Sequence, residues 1–228
     1  MNDFFAVVAA VMFLLSAGEA ITRKFHNAKI NSFMGKIHCP AGIIFIAAAA
    51  VHFSFSIRLL GHRPWYVFIL GILGLAFGLT AVLTGIFRKR IGKKWLAVHR
   101  FAALCLCICI AMHVSSYFYS LNVYRKSVAG IRYQAVDISK IPDGVYTGDC
   151  DVTYIYAKVA VTVKSGRIAK VDILEHKNER GGRAEIITGK IVAEQRVNVD
   201  AVTGATNSSK VIEKAVDNAL IRAEGEKR

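Results

Sequence analysis

The sequence predicts a membrane-embedded all-α four-helix bundle followed by a small α+β domain. Three observations predict it: four long apolar runs in the first half, a one-sided charge distribution, and a change of hydrophobic period near residue 142. The 228 residues are 54% hydrophobic, and the runs Phe4 to Ile21, Ile37 to Leu60, Trp65 to Phe87 and Trp95 to Tyr119 each reach the roughly 20 apolar residues that cross a bilayer as a helix. Trp65, Tyr66, Trp95, Tyr117 and Tyr119 stand at the ends of these runs, where amphipathic rings favour the headgroup layer. The first run lacks a basic n-region and a small-residue cleavage site, so it reads as a span and not as a removable signal.

The formal charge of +14 is concentrated in the membrane half. Residues 1–140 hold 16 Lys/Arg against 3 Asp/Glu, whereas residues 141–228 hold 14 against 13. The excess is therefore a topology signal, and nucleic acid is not an expected partner. Arg23, Lys24, Lys29 and Lys36 follow the first run, and Arg88, Lys89, Arg90, Lys93 and Lys94 follow the third; the remaining short connection has Arg58 and Arg63. The positive-inside rule places the two basic loops in the cytoplasm. The expected protein is a multi-pass cell-membrane protein with four spans, its N-terminus and C-terminal domain extracytoplasmic.

Within the apolar runs stand four histidines, His38 and His52 on the second and His99 and His113 on the fourth. Each pair is 14 residues apart, which on a helix is about 21 Å along the axis and about 40° around it, so both members share a face. Ionisable residues at membrane depth read as functional. The second and fourth runs are predicted to be parallel, which puts His38 level with His99 and His52 level with His113. Two such imidazole pairs are the expected axial ligands of two haem b groups, and Arg100, beside His99, is the candidate partner of a haem propionate. Pro40 marks a kink or a first helical turn close to the inner pair. Gly71, Gly74, Gly78 and Gly85 form a small-residue stripe suited to helix packing. His26 and His62 read as solvated loop residues, Glu19 as a side chain reaching the interface, and Cys105, Cys107 and Cys109 as packing residues. With its His-x13-His spacing on two helices, the membrane domain 1–120 resembles, over roughly residues 4–120, the bis-haem four-helix cytochromes b and ferric-reductase-like membrane domains.

Residues 121–141 are mixed and polar and read as a linker. The domain 142–228 has another period: Ala157 to Ile173 alternates around Ser165-Gly166, the pattern of a β-hairpin, while Ala184 to Gln195 and Ser208 to Ala223 have helical spacing. Asp200-Ala201-Val202-Thr203-Gly204-Ala205-Thr206 brings a glycine and hydroxyl side chains to a helix start, where backbone N–H groups favour an anion; an ordinary N-cap is the plainer use of such residues.

That element, with Asp143-Gly144-Val145-Tyr146-Thr147-Gly148, the hairpin and Glu175-His176-Lys177, resembles the FMN-binding domain found in the covalent-flavin subunits of the sodium-translocating NADH:quinone reductase and of the RNF complex. The resemblance implies FMN joined by a phosphoester to Thr206, with Asp200 part of what a flavin transferase recognises, and Thr203, Gly204 and Ala205 completing the site. His176, Asn178, Glu179 and Arg180 read as a polar loop, with His176 and Glu179 as candidate contacts of the flavin ring.

The combined expectation is electron transfer from quinol or a cytoplasmic dehydrogenase, through two haems, to FMN and on to an extracytoplasmic acceptor. No GxGxxG fingerprint is present, so the chain reads as an electron-transfer component and not as a self-contained enzyme. Two other readings stand beside it: a haem-free membrane anchor within a larger redox complex, and a histidine-dependent proton or metal transporter.

Overall fold

The computed structural model describes residues 2–25 and 27–225; His26 lies outside them. Two compact units are present, Met1–Phe118 and Tyr119–Arg228. The first is helical: α1 (Asn2–Thr22), α2 (Ala28–Ser56), α3 (Trp65–Ile86), a short turn of helix α4 (Arg88–Ile91) and α5 (Trp95–Ala129), whose last turns belong to the second unit. Four helices are long and apolar enough to cross a membrane. Their large side chains face outward, with Phe4, Leu14, Phe101 and Leu104 all exposed, as they are where lipid is the solvent. Between the helices lies a small core of Ala9, Phe45, Ala48 and Leu106, joined by Phe13, Phe77 and Ile110.

Helix α2 starts well before the apolar run that predicts it. Asn27 caps it, its side chain accepting from the backbone N–H groups of Lys29 (3.1 Å) and Ile30 (3.2 Å), which satisfies donors that a helix start leaves open. Pro40 consequently sits inside α2, beyond its first turn. The glycines of α3 serve packing: a Cβ on Gly78 would press on Ile46 and Phe45, and one on Gly74 would meet Cys109 and Leu106.

The second unit carries a three-stranded antiparallel meander, β1 (Gly144–Asp151), β2 (Tyr156–Lys164) and β3 (Arg167–Lys177), then α6 (Ile187–Glu194) and α7 (Thr206–Gly225). The β2–β3 turn is Ser165-Gly166, both with positive φ (54° and 69°), the twist that a two-residue hairpin demands. The inward residues of β2, Ala157, Val159, Val161 and Val163, are buried against Val211, Ile212, Ala215, Val216, Ala219 and Leu220 of α7. Strand β1 comes so close to α7 that a Cβ on Gly148 would collide with the backbone of Ala215 and Ala219.

Residues 121–141 are not a loose linker. They hold the end of α5, where Val128 is buried, and a segment after it whose Ile131, Val136 and Ile138 pack on the same core. Two buried carboxylates of α7 bind that segment: the Tyr133 hydroxyl donates to Glu213 Oε2 (2.6 Å), and the Gln134 N–H donates to Asp217 Oδ1 (3.1 Å). Buried acids persist only where hydrogen bonds replace water, and these two are supplied by residues 80 or more positions away in sequence.

Candidate functional site

In the helical unit, Nδ1 of three of the four membrane histidines lies within hydrogen-bond distance of a backbone carbonyl on another helix. His38 Nδ1 is 2.8 Å from Ser16 O, His99 Nδ1 is 2.8 Å from Ala81 O, and His113 Nδ1 is 2.9 Å from Val67 O. An imidazole that donates from Nδ1 presents Nε2 as a lone-pair donor, the state in which histidine ligates metals. The absence of a side chain at Gly71 makes room for His113, since a Cβ there would lie 3.2 Å from the imidazole.

The rings of His38 and His99 are 5.9 Å apart, centroid to centroid, at 63°. That is the geometry of an edge-to-face ring contact, which brings the inner histidines of α2 and α5 together. The Glu19 carboxylate stands between His38 Nδ1 (3.2 Å) and Arg23 (2.7 Å), so it is a bonded neighbour of the inner histidine and not a lone side chain at the interface. His52 is half-buried on α2, with the Ser56 hydroxyl 3.5 Å from its Nε2. Arg100 is exposed on α5, next to His99. His62, expected in solvent, is half-buried, its Nδ1 enclosed. Among the described residues no group of three or more His, Cys, Asp or Glu side chains gathers into a closed metal site.

In the C-terminal unit, Thr206 opens α7 and is exposed, as are Asp200, Thr203 and Gly204. Gly204 takes φ 78°, a conformation suited to glycine. The turn is fixed from both sides: the Val202 N–H donates to Ser209 Oγ (3.0 Å), the Ala205 N–H to Val202 O (2.9 Å), and Lys190 Nζ to Asp200 O (3.0 Å). Ala205 is buried beneath it. This arrangement leaves two threonines, Thr203 in the turn and Thr206 in the first helical position, exposed at the positive end of a 20-residue helix, a place that favours a phosphate. Ser208, in the same first turn, is buried, and its Oγ has no hydrogen-bond partner among the described residues.

Residues 155–221 match the family model of the FMN-binding domain. No curated protein and no solved structure matches the chain. The matched segment holds β2, β3, α6 and most of α7, hence the whole of the Asp200–Thr206 element, and this match supports an FMN-binding domain in the C-terminal unit. The histidine-bearing spans lie outside the match.

Around the start of α7 gather residues that sequence reasoning passed over. The Asn207 amide donates to the Tyr124 hydroxyl (2.8 Å), Tyr124 stacks on Tyr154 at 4.8 Å and 17°, and the Tyr154 hydroxyl is 2.7 Å from that of Ser120. The loop after β3 lies over the same turn, where a Cβ on Gly181 would overlap the Ser208 side chain. His176 is not part of a solvated loop: it pairs with Ala157 within the sheet, and its side chain is 1% exposed, with Nδ1 3.0 Å from Glu185 Oε1. Glu179 is half-buried and Arg180 exposed. An open cleft of about 560 Å³, lined by Ile131, Cys150, Lys214 and Asn218 among others, does not include Thr206 or His176. Burial there pushes the Cys150 thiol up to about 11, so it is protonated and unreactive at neutral pH.

Proposed function

We propose that this chain is a membrane electron conduit that ends in a flavin: two haem b groups held by His38 with His99 and by His52 with His113, and FMN joined by a phosphoester to Thr206. The match of residues 155–221 to the FMN-binding domain carries the reading. The carbonyls that engage Nδ1 of His38, His99 and His113, leaving Nε2 as the lone-pair donor, are what supports its haem half. When bound, haem supplies one-electron chemistry and FMN chemistry of one or two electrons, which suits an exchange between single-electron carriers and a two-electron partner.

The residues of the chain hold, orient and shield. Ser16, Ala81 and Val67 fix three histidine rings through their carbonyls, and Gly71 leaves the space that His113 occupies. Arg100 is the proposed partner of a propionate. Thr206, exposed on an ordered turn, is accessible to a flavin transferase, with Asp200, Thr203, Gly204 and Ala205 as its recognition element; His176 and Glu179 border the ring site. Quinol or a cytoplasmic dehydrogenase is the proposed donor, an extracytoplasmic molecule the acceptor, and the FMN domain lies on the extracytoplasmic side. The positive-inside distribution of Lys and Arg supports that orientation.

The test is the reduced-minus-oxidised absorption spectrum of the purified chain. A b-type signal is expected in the wild type, about halved in His38→Ala or His113→Ala and absent when both are combined. A wild type without haem absorption, expressed with ample porphyrin, would leave a flavoprotein anchored by four spans.

A further inference from the structure

The sequence of residues 1–118 has only two acids, Asp3 and Glu19, and the fold sets Glu19 against one of the candidate iron ligands. Asp3 stands 16 positions before Glu19 on α1, about 24 Å along the helix axis. Glu19 faces α2, where a Cβ on Gly35 would touch its Oε1 at 3.7 Å. Its Oε2 is 3.2 Å from His38 Nδ1, and its Oε1 accepts from the Arg23 guanidinium at 2.7 Å. The one hydrogen on Nδ1 is therefore shared between Ser16 O, at 2.8 Å, and a carboxylate.

The other bonded rings differ in this respect. His99 Nδ1 meets Ala81 O at 2.8 Å and the Thr84 hydroxyl at 3.3 Å, and His113 Nδ1 meets Val67 O at 2.9 Å, all of them neutral groups. Of these three histidines His38 alone has a charged group at Nδ1. The Glu19 side chain is 15% exposed and that of Arg23 67%, so the negative end of the ion pair faces protein while the positive end is screened by water. A carboxylate that accepts from Nδ1–H of a ligating imidazole makes its Nε2 a stronger donor. A stronger donor and a nearby negative charge both favour the oxidised, more positive iron.

We propose that Glu19, acting through His38 as a positioning residue, sets the potential of the haem held by His38 and His99 below that of the haem held by His52 and His113. The inference rests on the reading of these histidines as haem ligands. One electron then passes downhill from the inner pair, where iron is oxidised, to the outer pair, where iron is reduced, with no proton moved and no bond made or broken. Electrons accordingly enter at the end of the spans where Glu19 stands. Arg23 moderates the effect by neutralising part of the carboxylate charge.

The experiment is a redox titration of the purified full chain, followed by its b-type absorption. The wild type should show two components, and His113→Ala should retain the one of lower potential. In that background Glu19→Gln, which keeps the size of the side chain and removes its charge, should raise the remaining potential. Arg23→Leu, an exposed change, should lower it. Opposite shifts separate the charge of Glu19 from a general disturbance of the helices. The component that survives in His38→Ala should move with neither substitution. An inner component of the higher potential, or one on which the two substitutions do not act in opposite directions, overturns the role of Glu19 and leaves the haem reading standing. A wild type without haem absorption overturns both.

Discussion

The two units solve the same burial problem against different solvents. In the C-terminal unit the valines of β2 are 0–1% exposed and α7 covers them, so the hydrophobic effect sets the fold. In the helical unit Phe101 is 66% and Leu104 59% exposed, and the enclosed core is small. There the ordering contacts are close helix approaches at glycines and imidazoles bonded to neighbouring carbonyls. Polar groups therefore carry different meanings. A buried carboxylate on α7 holds an adjacent chain segment in place, whereas His38, His99 and His113 tie α2 and α5 to backbone carbonyls of other helices.

The sharpest way to separate the units is through the flavin. Thr206→Val is expected to abolish flavin fluorescence that survives denaturation, a complete loss, while the helical content of the first unit and the absorption of the proposed haems are unchanged; a flavin that persists would move the attachment to another hydroxyl. Gly148→Ala is next in size. Its methyl group meets the backbone of α7, so the second unit should lose about 3 kcal/mol or more, read as a drop in its melting temperature with the helical content of the spans retained.

Tyr133→Phe leaves Glu213 without its side-chain donor and should cost the second unit about 1–3 kcal/mol. The same carboxylate sets a pH dependence. Burial holds the Glu213 carboxyl above its ordinary 4.5, so the folded state binds the proton more tightly than the unfolded state. Its contribution is fully present below about 4.5 and is lost as pH rises through the folded value. Urea titrations from pH 4 to 7 should therefore show stability falling with pH in the wild type relative to Glu213→Gln; parallel curves would remove the effect. The smallest expected change is Asn207→Ala, which deletes one hydrogen bond to Tyr124, about 0.5–1.5 kcal/mol.

Much of this architecture is legible in the residues because it depends on local periodicity. Four apolar runs become four helices, and the alternation around Ser165-Gly166 becomes a hairpin with that turn. What escapes depends on contacts between distant residues. Residues 121–141 look polar enough for a linker, yet Tyr133 and Gln134 are claimed by two acids of α7 that resemble a solvated helix face in isolation. The start of α2 escapes because residues 28–36 are too mixed for a hydropathy run and are organised by the Asn27 cap. His176 reads as part of a polar loop because a β-bulge in β3 reverses strand phase without a sequence signal of its own. At the candidate flavin site Thr206 is readable from its motif, while Tyr124 and Gly181 are brought there only by tertiary folding.

The central claim is that electrons pass through the histidine spans to the flavin, and its most direct test is transfer across a sealed membrane. Proteoliposomes of the full chain enclosing a reductant, with a soluble oxidant outside, should reduce that oxidant. The rate should fall by on the order of a hundredfold or more in His38→Ala/His113→Ala and in Thr206→Val alike. Equal rates in wild type and both variants would contradict the account.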